Sequence, residues 1–354
     1  MNSVPLAFCE RVCDVLYRRG LQEAKKLSGF YGEFAQMAYD HTAHYVATVS
    51  GGVERGLCHI CVNTGRQVYT LKETEAVPKK YIQDVTIYFF DEPKENLTRA
   101  IVLRFPLSFY HFEISSSSFN KAWVNLACSL KRISSVKLKR KLDDNAVQLF
   151  QKLLRRLVAR QTLSRLQMYE EAGFVELFKS LVCQEQFRTL AITIINLNDN
   201  HKPRESIVVQ EVLRLWPDNL EKLRGKRLTL EGDCSVGVKQ LEKFTCRTER
   251  KEIGVSPYFR SFPLFCALKV CSQKECNFID EEYRHNHTRF YKPSCVYKYE
   301  EGEEGEERHR IYIFFECARA EERRMMRKCQ PANTFGCYDL GLIRNTSSLH
   351  VLFV

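Results

Sequence analysis

The sequence predicts an α/β protein in which a short βα unit repeats between residues 81 and 250. Each unit starts with a strand of alternating apolar residues and continues, after a polar break, with an amphipathic helix. The apolar strand pairs are Phe112/Ile114, Val136/Leu138, Leu166/Met168, Leu190/Ile192 and Leu228/Leu230. Successive pairs lie 24, 30, 24 and 38 residues apart. Leucine-rich repeats run about 20–29 residues per unit, so the spacing indicates repeats of this type with one insertion.

The helices between these strands carry clear apolar stripes. Asp143 and Asp144 form a helix N-cap pair, and the apolar residues that follow them recur at helical spacing from Val147 to Val158. Four basic residues lie off this stripe: Lys152, Arg155, Arg156 and Arg160. Strand, helix and strand joined by short loops imply parallel strands with crossover connections.

Units this short predict a curved βα solenoid, with strands on the concave side and helices on the convex side. A doubly wound sheet is the alternative, and it would need strands that are apolar on both faces. Only Ile192 to Ile195 approaches that pattern, since the other strands alternate. The curved solenoid is therefore favoured.

Two further regions precede the repeats. Residues 1–42 read as helical, because Phe8, Val12 and Leu16 recur at helical spacing after Pro5. Residues 43–80 contain short strand-like runs joined by glycine turns, which predicts a small antiparallel β element.

The repeat pattern fades after residue 250. Strand-like segments at 295–299 and 311–315 flank the acidic run 300–307, which reads as a solvated hairpin loop. A last strand is expected over 349–354. Residues 251–354 therefore predict a small β-rich region that caps one end of the repeat stack.

Composition favours a soluble intracellular protein, cytoplasmic or nuclear. Apolar residues make up 44% of the chain and charged residues 27%, which is an ordinary globular balance. The N-terminus lacks the pattern of a secretory signal, and no apolar run is long enough for a membrane span. The 15 cysteines are an odd number on a long chain, so we expect mostly free thiols in a reducing compartment.

No motif predicts catalysis or a cofactor. The chain has no nucleophile elbow, P-loop, dinucleotide fingerprint, HExxH or kinase signature, so we expect a non-enzymatic protein without a cofactor. Two groups of residues could be considered for zinc. Cys58 and Cys61 lack a second ligand pair and read as ordinary strand cysteines, and the cluster from Cys266 to Cys295 has wider spacing than most zinc modules.

The polar residues of the repeat strands predict a docking surface. Side chains that alternate with the apolar ones point to the concave face, which the sequence makes basic in its middle. The predicted contact residues are Lys137, Lys139, Arg165, Gln167 and Arg227. An acidic protein segment is the expected partner. Nucleic acid is the rival, although most aromatic residues lie on apolar stripes rather than among the basic residues.

The N-terminal segment resembles an F-box. It opens with Val4-Pro5, continues through an apolar-spaced helix, and reaches Leu27-Ser28, the aromatic Tyr31 in place of the usual Trp, and Ala35. With the repeats and the β-rich tail, the chain is similar to the F-box-like proteins that expanded in nematodes. The alternative is that these residues only cap the first repeat.

This resemblance implies a function. The N-terminal helices of an F-box-like protein pack against the small adaptor subunit of a cullin–RING ubiquitin ligase, and the repeat domain holds a substrate. The adaptor contacts implied for this chain are Val4, Pro5, Leu6, Phe8, Val12 and Leu16. We therefore expect a protein-interaction module, either a substrate-recognition subunit of such a ligase or a repeat scaffold with no link to ubiquitin.

Overall fold

The computed structural model describes residues 5–16, 18–70, 73, 77–195, 206–253, 267–283, 288–301, 309–326 and 328–354. The chain forms two compact units, residues 1–162 and 163–354. This division differs from the four regions expected from the sequence. The prediction of a mixed α/β fold with mainly parallel repeat strands is confirmed in each unit.

The N-terminal unit begins with helices and then alternates strands with helices. Its elements are α1 (Leu6–Val15), α2 (Arg18–Ala24), α3 (Phe30–His41), β1 (Ala43–Ser50), β2 (Val53–Cys61), β3 (Gln67–Val68), β4 (Ile82–Phe89), α4 (Glu95–Arg104), β5 (Phe109–Ile114), α5 (Lys121–Ser129), β6 (Ile133–Leu138) and α6 (Asp144–Arg160).

The sheet of this unit has the strand order β6-β5-β4-β1-β2-β3. Strands β4, β5 and β6 are parallel, and β1 is parallel to β4. β1 and β2 form an antiparallel hairpin, as predicted, with a further short antiparallel pair to β3. The region 43–80 is therefore not a separate element, because β1 extends the same sheet as the repeat strands.

One face of this sheet carries the core of the N-terminal unit. Trp123 of α5 packs against Phe89 and Phe112 of the strands, with ring centroids 5.8 and 5.6 Å apart, and stacks on Phe119 at 5.5 Å. Its indole Nε1 donates a hydrogen bond of 3.1 Å to Thr98 Oγ1 in α4. The predicted alternation places these apolar residues on the helix side and leaves polar residues on the other face.

The C-terminal unit continues the alternation and then becomes mainly antiparallel. Its elements are β7 (Arg165–Tyr169), α7 (Val175–Val182), β8 (Thr189–Ile194), α8 (Ile207–Leu215), α9 (Leu220–Leu223), β9 (Arg227–Gly232), α10 (Ser235–Ile253), β10 (Lys269–Val270), α11 (Gln273–Glu282), β11 (Arg289–Phe290), β12 (Tyr297–Glu301), β13 (His309–Phe315), α12 (Ala320–Met325), β14 (Gln330–Pro331) and β15 (Ser348–Phe353).

The sheet of this unit has the order β10-β12-β13-β15-β9-β8-β7. β7, β8 and β9 are parallel, whereas β15 is antiparallel to both β9 and β13. β12 and β13, which flank the acidic run, pair antiparallel, while residues 302–308 lie outside the described residues. The C-terminal strands therefore join the sheet of the last repeats edge to edge.

This sheet is buried on both faces where the antiparallel strands begin. Leu228 and Leu230 of β9 are buried on the helix side. Thr229 and His350, on the opposite face, are buried as well. On this face α11 contributes Cys276 to a cluster with Phe290, Phe314 and Leu352. The expectation of one polar, solvent-facing side does not hold at β9 and β15, because the chain after residue 270 packs over it.

Candidate functional site

The predicted adaptor-binding segment folds as three short helices with their own small core. α1 and α3 pack together, as do α2 and α3. The buried residues of this core are Cys13, Leu21, Ala35, Ala38 and Tyr81. Small residues on α3 allow the close approach of the other two helices.

Helix α1 exposes part of its apolar surface. Leu6 is 50% exposed and Phe8 is 55% exposed, and Pro5 is exposed as well. Val12, four residues after Phe8, is half-buried on the same side of the helix. Leu16 packs partly against the core of the three helices, and Val4 lies outside the described residues. Leu6 and Phe8 are thus the expected contacts most available to a partner.

The three helices are tied to the start of the sheet. Glu10 of α1 forms an ion pair with Lys80. The His41 ring stacks on Tyr81, with centroids 5.7 Å apart, and Asn63 donates a 2.8 Å hydrogen bond from Nδ2 to the Tyr39 carbonyl. These contacts hold the exposed side of α1 in a fixed position on the N-terminal unit.

Replacing Gly32 with alanine is expected to loosen this segment. A Cβ atom at Gly32 would lie 1.9 Å from the backbone oxygen of Leu27, so α3 must shift away from the preceding turn. We expect a loss of about 1–3 kcal/mol in local stability, as for other forced overpacking. Hydrogen exchange of α1–α3 amides measures this. Glu33→Ala, an exposed change in the same helix, is the control; equal exchange in the two variants would contradict the prediction.

The polar face of the N-terminal sheet contains a hydrogen-bonded cluster of four residues. His44 Nε2 lies 2.7 Å from Thr86 Oγ1, and His111 Nε2 lies 2.8 Å from Asp84 Oδ1. The two imidazole rings meet edge to face, 6.2 Å apart. Burial lowers the pKa of His44, and the nearby His111 adds to this, although Asp84 opposes it. His44 is therefore mainly neutral at neutral pH.

A second group on this face pairs cations with an acid and an aromatic ring. Lys139 Nζ lies 2.8 Å from Glu113 Oε2 and 5.0 Å from the Tyr88 ring centroid. Burial raises the pKa of Tyr88, and Glu113 raises it further. Lys137 is half-exposed and lies beside Glu113 in the strand register. The face is therefore mixed in charge, not uniformly basic, because Asp84 and Glu113 offset much of its positive charge.

The other three predicted contact residues lie in the C-terminal unit. Arg165 is exposed, and Gln167 donates a 2.6 Å hydrogen bond to Glu231 Oε2. Arg227 NH1 bonds Thr288 Oγ1 at 2.5 Å, and burial lowers its pKa to about 10. Arg227 is thus covered by the segment after α11 and is not on an open strand face. The sequence missed this because the covering residues lie about 60 positions later.

Three of the cysteines considered for a zinc site, Cys271, Cys276 and Cys295, are buried residues. Cys271 and Cys276 belong to a buried apolar cluster, and burial raises both thiol pKa values. Cys295 is buried and its Sγ bonds the Gly336 carbonyl at 3.1 Å. Cys266, His285 and His287 lie outside the described residues. Within the described ranges, no group of three or more His, Cys, Asp or Glu side chains could hold a metal ion.

Sequence reasoning placed Lys137 and Lys139 on the polar face of this unit but missed His44, Asp84 and Tyr88. The alternation of polar and apolar residues in β1 and β4 could have placed these residues on one face of a sheet, but it does not show that the two strands pair. Assigning β1 to a separate antiparallel element hid its parallel pairing with β4. That pairing is what brings His44 next to Asp84.

No protein-family profile, curated protein or solved structure matches the chain. Among the described helices, none has the length and apolarity needed to cross a bilayer.

Proposed function

We propose that this chain is a non-enzymatic protein-interaction module, the substrate-recognition subunit of a cullin–RING ubiquitin ligase. In this proposal α1–α3 act as an F-box-like segment that binds the small adaptor subunit. The βα repeats, as a curved solenoid of leucine-rich type, hold the substrate, and the C-terminal β-rich region caps the stack. The observation that carries the proposal is helix α1, which buries Cys9 and Cys13 against its neighbours while exposing Leu6 and Phe8.

This separation of buried and exposed residues on α1 suits an adaptor-binding helix. The inward residues fix α1 to α3, so binding does not have to order the helix first. Full burial of an apolar side chain of this size contributes about 1.5–3 kcal/mol, and two such side chains can therefore anchor a specific contact. The thirteen cysteines whose side chains the structure describes are all free thiols, which fits the proposed cytoplasmic or nuclear location.

The proposed substrate surface is the polar strand face. In the N-terminal unit it offers Lys137 and Lys139, and in the C-terminal unit Arg165 and Gln167. Arg227 does not belong to this surface, because its guanidinium is hydrogen-bonded to Thr288. The paired acids Asp84 and Glu113 on this face favour a protein partner of mixed charge over a polyanion.

Replacing Leu6 and Phe8 with aspartate is expected to weaken adaptor binding strongly, since two charges would have to be buried in an apolar contact. The purified chain is incubated with the purified adaptor, and the bound fraction is measured by pull-down. Leu103→Asp is the matched control, because Leu103 is also on a helix of the N-terminal unit and is 72% exposed. We expect at least about tenfold weaker binding for the double variant and none of this loss for the control.

If the unmodified chain fails to bind the adaptor, or the double variant binds as well as the control, the ligase proposal is wrong. The second candidate then applies: a repeat scaffold with no link to ubiquitin, binding an acidic protein through the strand face. Lys137 favours this candidate, because it lies half-exposed beside a Glu113 whose carboxylate is already paired with Lys139. Lys137→Glu would weaken the binding of that acidic protein while leaving adaptor binding unchanged.

A further inference from the structure

Positive charge is concentrated in one part of the N-terminal unit. Residues 121–160, which contain α5, β6 and α6, include eleven Lys or Arg and only two Asp. The formal net charge of the whole chain is +11, so this segment of forty residues carries most of it. The concentration is not explained by the proposed strand face, because only Lys137 and Lys139 of this set belong to that face.

Helix α6 is strongly amphipathic. Phe150, Leu153, Leu154 and Leu157 are buried against the rest of the unit. The opposite side exposes Gln148, Lys152, Arg155 and Arg156. Lys152 and Arg156 are one turn apart, about 6 Å along the helix axis, and no acidic residue follows Asp144 in this helix. The result is a row of cations on a rigid element.

Contacts with α5 gather these cations into one patch. Lys152 Nζ donates a 2.9 Å hydrogen bond to Asn125 Oδ1, and Arg160 NH1 donates a 2.6 Å bond to the Leu130 carbonyl. Lys152, Arg160 and Arg156 all act electrostatically on the thiol of Cys128, a residue of α5. The α5–α6 patch is defined as Lys152, Arg155, Arg156 and Arg160, and its first and last members are held by hydrogen bonds to the α5 segment.

The chemistry of the patch distinguishes between classes of partner. Both helices are described in full, and neither exposes a large apolar or aromatic side chain. The centre of a protein interface is usually apolar or aromatic, insertion into a membrane needs exposed apolar residues, and single-stranded nucleic acid is usually held by aromatic stacking. The phosphate backbone of a duplex needs only fixed cations, and duplex interfaces are far more positively charged than protein–protein interfaces.

We propose that the α5–α6 patch binds the phosphate backbone of double-stranded nucleic acid without reading its sequence. Lys152, Arg155 and Arg156 each contact a phosphate, and Arg160 supports the end of the row. This surface lies on the helix side of the sheet, away from the polar strand face. The inference does not depend on the adaptor contact, because it uses neither α1 nor the strand residues.

The test measures binding of the full chain to a short random-sequence DNA duplex by fluorescence anisotropy. With three phosphate contacts, log K should fall with log salt at a slope of about −2.7, so affinity drops roughly 40-fold between about 50 and 200 mM salt. The variant carries Lys152→Gln, Arg155→Gln and Arg156→Gln. Its slope should be shallower by roughly 0.9 per cation removed, with at least about tenfold weaker binding at low salt.

The control variant carries Lys222→Gln, Arg224→Gln and Lys239→Gln, which removes the same charge from exposed residues of the C-terminal unit. We expect it to keep most of the affinity and the slope of the unmodified chain. The inference is overturned if the duplex does not bind, or if both variants weaken it equally. It is also overturned if anionic phospholipid vesicles or an acidic polypeptide bind the patch more tightly than the duplex at matched salt. None of these outcomes changes the result of the adaptor pull-down.

Discussion

Replacing Trp123 with alanine is expected to lower the free energy of unfolding by about 3–5 kcal/mol, as for other large-to-small changes in protein cores. Trp123 is fully buried and contacts Phe89 and Phe112 from two neighbouring parallel strands. Its removal leaves a cavity between α5 and the sheet and removes the hydrogen-bond donor from buried Thr98 Oγ1. Both effects act on the contact that joins α5 to strands β4 and β5.

Urea unfolding measures this loss, with Leu103→Ala as control. Leu103 is 72% exposed, so its truncation should change stability by no more than about 0.5 kcal/mol. Losses of similar size in the two variants would contradict the described core, since Trp123 would then not be the residue that links helices and strands.

Acidification is expected to destabilise the C-terminal unit through His350. Its ring is buried between Phe290 and Phe314 and lies 3.1 Å from both Thr229 Oγ1 and Ser348 Oγ. Burial holds its pKa well below the usual 6.5, and Arg227 lowers it further. The folded state thus keeps this imidazole neutral, while the unfolded state takes up a proton as pH falls.

The sign follows from proton uptake. Below pH 6.5 the unfolded chain binds more protons at this position than the folded chain does, so stability decreases with falling pH. His350 alone should cost about 1 kcal/mol between pH 6.5 and 5.5, and about 1.4 kcal/mol for each further unit until the folded pKa is reached.

Stability curves at several pH values, for the unmodified chain and for His350→Gln, test this prediction. The glutamine variant cannot titrate, so its curve should be flatter over the same range by the amounts above. His44 and His59 also have lowered pKa values and add to the slope of both proteins equally. Parallel curves for the two proteins would show that His350 is not held neutral.

Local sequence pattern predicted the repeat strands, because period-two alternation and helical stripes are properties of neighbouring residues. The pairs from Phe112/Ile114 to Leu228/Leu230 all lie on described strands, with their apolar side chains buried. The parallel pairing of these strands followed from the short helices between them. Phe8 and Leu6 likewise lie on a helix that α3 covers on one side only.

The pairing of strands that lie far apart in the chain could not be predicted from the sequence. Nothing in residues 43–50 indicates that β1 pairs with β4 rather than only with β2, so His44 was not placed beside Asp84. In the same way, the strand pattern of β9 cannot show that Thr288 will cover Arg227 or that β15 will pair with β9. These contacts join segments far apart in the chain, and their specificity lies in packing that no single window contains.

Hydrogen exchange of the full chain, with and without the purified ligase adaptor, tests the central proposal most directly. We predict that the adaptor slows exchange in α1 and the adjoining part of α3, and leaves the strands β5 and β6 unchanged. Protection confined to the strands, or no protection anywhere in the presence of saturating adaptor, would contradict an F-box-like role for the N-terminal helices.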